Sequence, residues 1–257
     1  MKSIKLKNTT VRIYDSIDEL PVDRFHRFNK YVMIDAGIGG DMESVDQHLS
    51  QIARMIKAGK TARAEQKIEN LRQNLYFVIE GINPASLSFA VLIHDIDGKE
   101  LDDLQEESLM ALINKLGKKG LTTNQISEAS DLAKKKFRDE LETLYPQETG
   151  GPNEIGTLAK IKQRALLVAA QILGEDKQKE IDKVTNELEE EIPVERYTGT
   201  TGREAEYERE YENMCLLISP FTNSRPADLT TKQFYALVHF AKNETKKKRQ
   251  WAKRKKR

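Results

Sequence analysis

Apolar residues in this chain recur at intervals of three and four through almost every segment. They alternate with polar ones only over residues 4–14. That spacing belongs to helices that bury one face. It predicts a mainly α fold: a helical bundle with a minor β-hairpin or small sheet and an extended helical C-terminal arm. Of 257 residues, 32% are charged and 38% hydrophobic. The core is therefore expected to be thin and spread along helices.

The alternation in IKLKNTTVRIY at 4–14 predicts one or two short strands. Ser16 precedes Glu19 by three, the spacing of a capping box, and Pro21 falls in the first turn. A helix is expected to follow through about Gly37, with Val22, Phe25, Phe28, Val32, Met33 and Ala36 inward. Gly37-Ile38-Gly39-Gly40 breaks it. The next helix turns Val45, Leu49, Ile52, Ala53 and Ile56 inward and closes at Gly59. A third runs from Thr61 to about Gly81 on a stripe of Ala64, Ile68, Leu71, Leu75, Val78 and Ile79. Together 16–81 predict a three-helix antiparallel bundle.

Past Asn83-Pro84, the apolar run SLSFAVLIHD at 86–95 predicts a buried strand, and Asp97-Gly98 a tight turn. Helices are expected over 102–116 and from Thr122 or Thr123 to Tyr145. The second of these carries Ile126, Ala129, Leu132, Ala133, Phe137, Leu141 and Leu144 on one face. Phe25, Phe28, Leu71, Leu75, Phe77, Phe89, Leu92 and Phe137 are the expected core of this first unit, residues 1–145.

Residues 146–156, PQETGGPNEIG, hold two prolines and three glycines and read as a linker. A helical arm over 157–243 and a basic tail over 244–257 are expected beyond it. Within the arm, 175–191 has only Ile181, Val184 and Leu188 as apolar residues. So narrow a stripe suits helix–helix contact with another chain better than a globular interior. Phe234 and Leu237, with Tyr235 and Val238, form a second patch. Both are candidate partner-binding surfaces, and an oligomeric or partner-bound chain is expected.

The charge is unevenly placed. The net charge is +1, yet 246–257 holds nine basic residues and no acidic one, leaving −8 on residues 1–245. Lys246, Lys247, Lys248, Arg249, Lys253, Arg254, Lys255, Lys256 and Arg257 are candidates to neutralise DNA or RNA phosphates, or an acidic surface of another protein copy. Trp251 among them is suited to stack on a base.

Little else carries chemistry. No run of about 18 apolar residues exists, so no membrane span is expected. The start, MKSIKLKNTT, lacks the apolar stretch of a secretory signal. The lone Cys215 excludes an internal disulfide and a cysteine-based zinc site. Gly37 to Asp41 follows a helix and matches no phosphate-loop pattern, so it reads as an interhelical turn. Asp35, Asp41, Glu43 and Asp46 around it read as acids at a helix start. His94, Asp95 and Asp97 read as hairpin-turn chemistry, His26 and His48 as hydrogen-bonding residues at a bundle edge, and Cys215 as an inert thiol. No nucleophile stands beside a base and an orienting group. The expectation is a non-enzymatic protein with no metal and no cofactor.

Three stretches carry a resemblance: YDSIDELPVDRFHRFNKYVMIDAGIGGDMESVDQHL at 14–49, ENLRQNLYFVIEGINPASLSFAVLIHDIDGKEL at 69–101 and LTTKQFYALVHFAKN at 229–243. They resemble proteins of tailed bacteriophages and related prophages, particularly of gut Bacteroidota. The third is similar to the ends of tail-assembly chaperones, where a short helix carries a TxxxFxxL-like pattern. The likeness covers about a third of the chain and includes no catalytic signature. It implies a virion-associated or tail or neck assembly protein with other phage structural or tail proteins as partners. The host cytoplasm during assembly, or the virion, is the implied location.

Overall fold

In a computed structural model, described here over residues 1–146, 154–191 and 195–255, the chain is mainly helical with one small antiparallel sheet. The sheet places β1 (Lys2–Leu6), β2 (Thr9–Ile13), β3 (Ile93–Ile96) and β4 (Lys99–Glu100) side by side in that order, with four helices between β2 and β3 in sequence. Strands β3 and β4 are joined by Asp97 and Gly98, with φ of 53° and 81°. Two consecutive left-handed residues are what a two-residue hairpin turn needs, which is why Asp-Gly stands there. Asp95 reinforces the turn by accepting from the Gly98 N–H at 3.0 Å. Its other oxygen takes the Arg12 Nε–H at 2.6 Å.

Four helices cover the sheet: α1 (Val22–Gly37), α4 (Pro84–Val91), α5 (Glu106–Lys118) and α6 (Thr123–Leu144). Their shared core includes Val11, Phe28, Phe89, Leu92, Ile93, Leu109 and Phe137. Phe137 meets the edges of Phe25 and Phe28 at ring separations of 6.0 and 5.6 Å. Helix α6 starts at Thr122, one of the two expected caps, and forms a capping box in which Thr122 and Gln125 cap each other's backbone.

Several expectations are corrected. Of the strand expected over 86–95, only the end from Ile93 is strand; residues 84–91 are helix. Asn83 caps that helix on the Ser86 N–H and Pro84 occupies its first turn. It is apolar on nearly every side because α1, α5 and α6 surround it, and such a helix has no polar face to betray its period. The expected capping box at Ser16 and Glu19 does not start α1. Ser16 Oγ and the Ile17 N–H instead donate to Glu140, and the helix begins at Val22, whose N–H donates to Leu229 O.

The 16–81 bundle also divides differently. Helix α1 packs on α4, while α2 (Met42–Lys57) and α3 (Thr61–Glu80) form a hairpin with its own core of Val45, Ile52, Met55, Ala64 and Leu71. Leu75 is 37% exposed rather than core, and Phe77 is half-buried. Leu49, Ile56, Ile68 and Ile79, read as inward, are exposed, and so are Leu132 and Leu144 of α6. Between α1 and α2, Gly39 has φ of 74°, and a side chain on Gly37 would overlap the Tyr197 ring. These glycines are needed for a turn and a close approach.

Beyond residue 153, α7 (Glu154–Ile172) and α8 (Gln178–Glu191) form a second hairpin. Helices α9 (Arg203–Ile218) and α10 (Thr231–Lys255) pack against each other and on α1. Val22, Ile218, Phe234, Val238 and Ala241 make that core. Thr231 donates from both N–H and Oγ1 to Leu20 O. The 157–243 arm is therefore not wholly separate: its last two helices fold onto the 1–145 unit. Of the expected 146–156 linker, 147–153 lie outside the described residues, and 154–156 already belong to helix α7.

Candidate functional site

A dense polar cluster lies where α9 crosses α1. His26 is buried and stacked between two parallel rings, Tyr207 at 4.4 Å and Tyr211 at 4.0 Å. Its Nε2 lies 2.9 Å from Glu208 Oε2. One turn along α1, Lys30 Nζ reaches Glu204 at 2.8 Å and Glu208 at 3.3 Å. The Tyr207 hydroxyl donates to His26 O at 3.3 Å. Both helices carry their partners at i, i+4: His26 and Lys30 on α1, Glu204 and Glu208 on α9, with Tyr207 and Tyr211 beside them.

Burial pushes the His26 imidazole below its usual range, against the pull of the Glu208 carboxylate. Burial works to raise Glu208, but the His26 hydrogen bond and the Lys30 charge outweigh it and hold the carboxyl low. Burial likewise opposes the charge on Lys30, and its two glutamates reverse that and raise it. Burial raises both tyrosines and the Cys215 thiol beside Tyr211. A neutral imidazole donating to a carboxylate resembles half of a catalytic triad. Here both ring faces are covered by tyrosines and Nε2 is occupied, so no substrate reaches it. The arrangement is a clasp that holds α9 on α1.

A second buried histidine, His48 on α2, is pushed down to about 4 by burial and the nearby Lys67 charge. A cavity of about 100 Å³ separates α1 from α3, lined by Tyr31, Ile34, Gln73 and Phe77 among others. Buried Arg24 donates to Val91 O and Ile93 O, at 3.0 and 2.8 Å, and to Leu101 O. It thereby ties α1 to the α4–β3 junction. Among the described residues there is no group of three or more His, Cys, Asp or Glu side chains able to hold a metal ion. No helix among them is long and apolar enough to cross a membrane.

The candidate contact residues are dispersed. Ile181, Val184 and Leu188 are buried in the chain at 5–8% exposure, on the helix that pairs with α7. Phe234 is core at 1%, and Leu237 packs half-buried beside it. These stripes are filled within the chain. The basic tail is not separate from the preceding helix, because α10 runs unbroken to Lys255. Lys246 and Lys247 are exposed, and Lys247 pairs with Glu244 at 2.8 Å. The side chains of Lys248, Arg249, Trp251, Lys253, Arg254 and Lys255, and the whole of Lys256 and Arg257, lie outside the described residues.

Sequence reasoning missed Lys30, Glu204, Glu208, Tyr207 and Tyr211. The i, i+4 pairs were visible on each helix, but nothing in the spacing says that helices about 180 residues apart face each other. No family model, no curated protein and no solved structure matches this chain.

Proposed function

We propose that the chain is a non-enzymatic protein of tailed-phage assembly, acting through protein–protein contacts in a virion or on a tail or neck intermediate. The phage resemblance supplies the setting. The mode is carried by one observation: the α7–α8 hairpin leaves Leu166, Ile172 and Leu173 exposed at 63%, 80% and 84%. Ile172 and Leu173, adjacent at the hairpin tip, suit a partner surface. Deleting the gene from the phage that encodes it should abolish normal particles, and the double variant Ile172→Glu/Leu173→Glu should fold but fail to restore them. Particles of normal yield and shape in the deletion strain would refute this role.

A second reading is sequence-independent nucleic-acid binding by 246–257. It is favoured by the continuity of α10 through Lys255, which carries the basic residues along one helix. About nine phosphate contacts would make affinity fall steeply with salt. Filter binding at two salt concentrations tests it: if a chain lacking 246–257 keeps the affinity and salt slope, this reading fails.

A further inference from the structure

The α2–α3 hairpin has two apolar seams, and only one is filled. Inside it, Val45 and Ile52 of α2 meet Ala64 and Leu71 of α3. Four residues after each of these comes a second large apolar side chain: Leu49, Ile56, Ile68 and Leu75, exposed at 49%, 56%, 40% and 37%. A step of four rotates a position by about 40° around a helix. Because α2 and α3 run antiparallel, the same rotation turns both sets to one side of the hairpin. Ile79, at 77% exposure, extends that side.

On α3 the open seam reads Glu65, Ile68, Arg72, Leu75, Ile79, with spacing 3, 4, 3, 4. That is the repeat of a helix that packs lengthwise on another. The five apolar side chains present on the order of 500 Å², within the range where exposed patches mark binding sites. With a polar rim this approaches the roughly 800 Å² per partner of a stable interface.

We propose that this face is a two-fold interface between two copies of the chain, with α3 antiparallel to α3 of the second copy. The occupant is indicated by the charges within the seam. Glu65 and Arg72 lie seven apart on either side of Ile68. An antiparallel pairing centred beside Ile68 sets each Arg72 opposite the other copy's Glu65, and the two Ile68 side chains against one another. The same register carries Leu75 and Ile79 onto the other copy's hairpin tip, where Ile56 precedes the turn. Arg72 is 73% exposed and is held by Glu69 on its own helix at 3.2 Å, so it is available at the surface. An isologous contact of this kind closes on itself and yields a dimer rather than a filament. The proposal stands apart from the phage reading, since it concerns the isolated chain.

Sedimentation velocity of the full chain over a concentration series tests it. The wild type should form a dimer. Ile68→Asp should shift the equilibrium to monomer, with helical content unchanged by circular dichroism because the site is on the surface. Arg72→Glu and Glu65→Arg should each weaken the dimer at least tenfold, and the double variant Glu65→Arg/Arg72→Glu should recover most of that loss. A chain that stays monomeric to on the order of 100 µM overturns the proposal. A dimer indifferent to Ile68→Asp does so too, as does a double variant no better than the singles.

Discussion

Replacing Phe137 with alanine should destabilise the fold strongly, while replacing Leu132, five residues earlier on the same helix, should do almost nothing. Both lie on the apolar stripe read from the sequence of α6. The structure separates them: Phe137 is 2% exposed and Leu132 is 56% exposed. Phe137 fills the space between α1 and α6 and meets the edges of Phe25 and Phe28. Truncating a buried phenylalanine costs about 3–5 kcal/mol in lost burial plus cavity, and two edge-to-face contacts vanish with it. A loss of about 4 kcal/mol lowers the melting temperature of a chain this size by roughly 8–16 °C. Leu132→Ala falls among surface substitutions, within about 0.5 kcal/mol. Urea unfolding followed by far-UV circular dichroism measures both. A Phe137→Ala cost below about 1 kcal/mol, or a Leu132→Ala cost above about 1.5 kcal/mol, would show that α6 is rotated from the orientation described.

Other consequences follow from the polar clusters. His26 and His48 both have folded pKa values depressed by burial, His48 to about 4. Protonation therefore favours the unfolded chain, whose histidines titrate near 6.5. Stability should be full above that pH and fall as pH drops from about 6.5 towards 4, by at most about 1.4 kcal/mol per pH unit for each histidine. His48→Leu should flatten part of that slope in thermal melts taken at each pH, and an unchanged slope would remove His48 from the account. Gly98→Ala, at φ 81°, should cost about 1–2 kcal/mol, read by chemical denaturation; a neutral result would contradict the hairpin turn. Arg24→Met leaves three carbonyls without their donor and should cost about 3 kcal/mol or more by the same measurement, whereas a loss under about 1 kcal/mol would mean that the bridge to the α4–β3 junction contributes little.

How far the sequence reveals this fold differs from element to element, and the reasons are physical. Local chemistry is legible where a few adjacent residues determine the backbone: the Thr122 cap, the Asp97-Gly98 turn and the glycines at 37–40 act as their types imply, whereas the Ser16–Glu19 box gives way to a tertiary contact with Glu140. Helix α4 was not legible, because a helix buried on most sides loses the polar face that marks its period. On α3, the residues 64, 68, 71, 75, 78 and 79 form one band in sequence. The fold divides it into a filled seam and an open one, and that division depends on which side α2 occupies. Ile181, Val184, Leu188 and Phe234 were correctly apolar, but periodicity does not distinguish a partner within the chain from one outside it. The clasp of His26, Lys30, Glu204 and Glu208 depends on helices far apart in sequence, so only the packed structure brings it together.

The proposed role as a contact protein of phage assembly is tested most directly in cells making particles. Lysates would be separated by sedimentation and each fraction quantified for this chain by mass spectrometry. The chain should travel with finished particles or with tail or neck intermediates, and Ile172→Glu/Leu173→Glu should move it to the slow fractions. Finding the wild-type chain only as a free, slowly sedimenting species while particles assemble normally would contradict the claim.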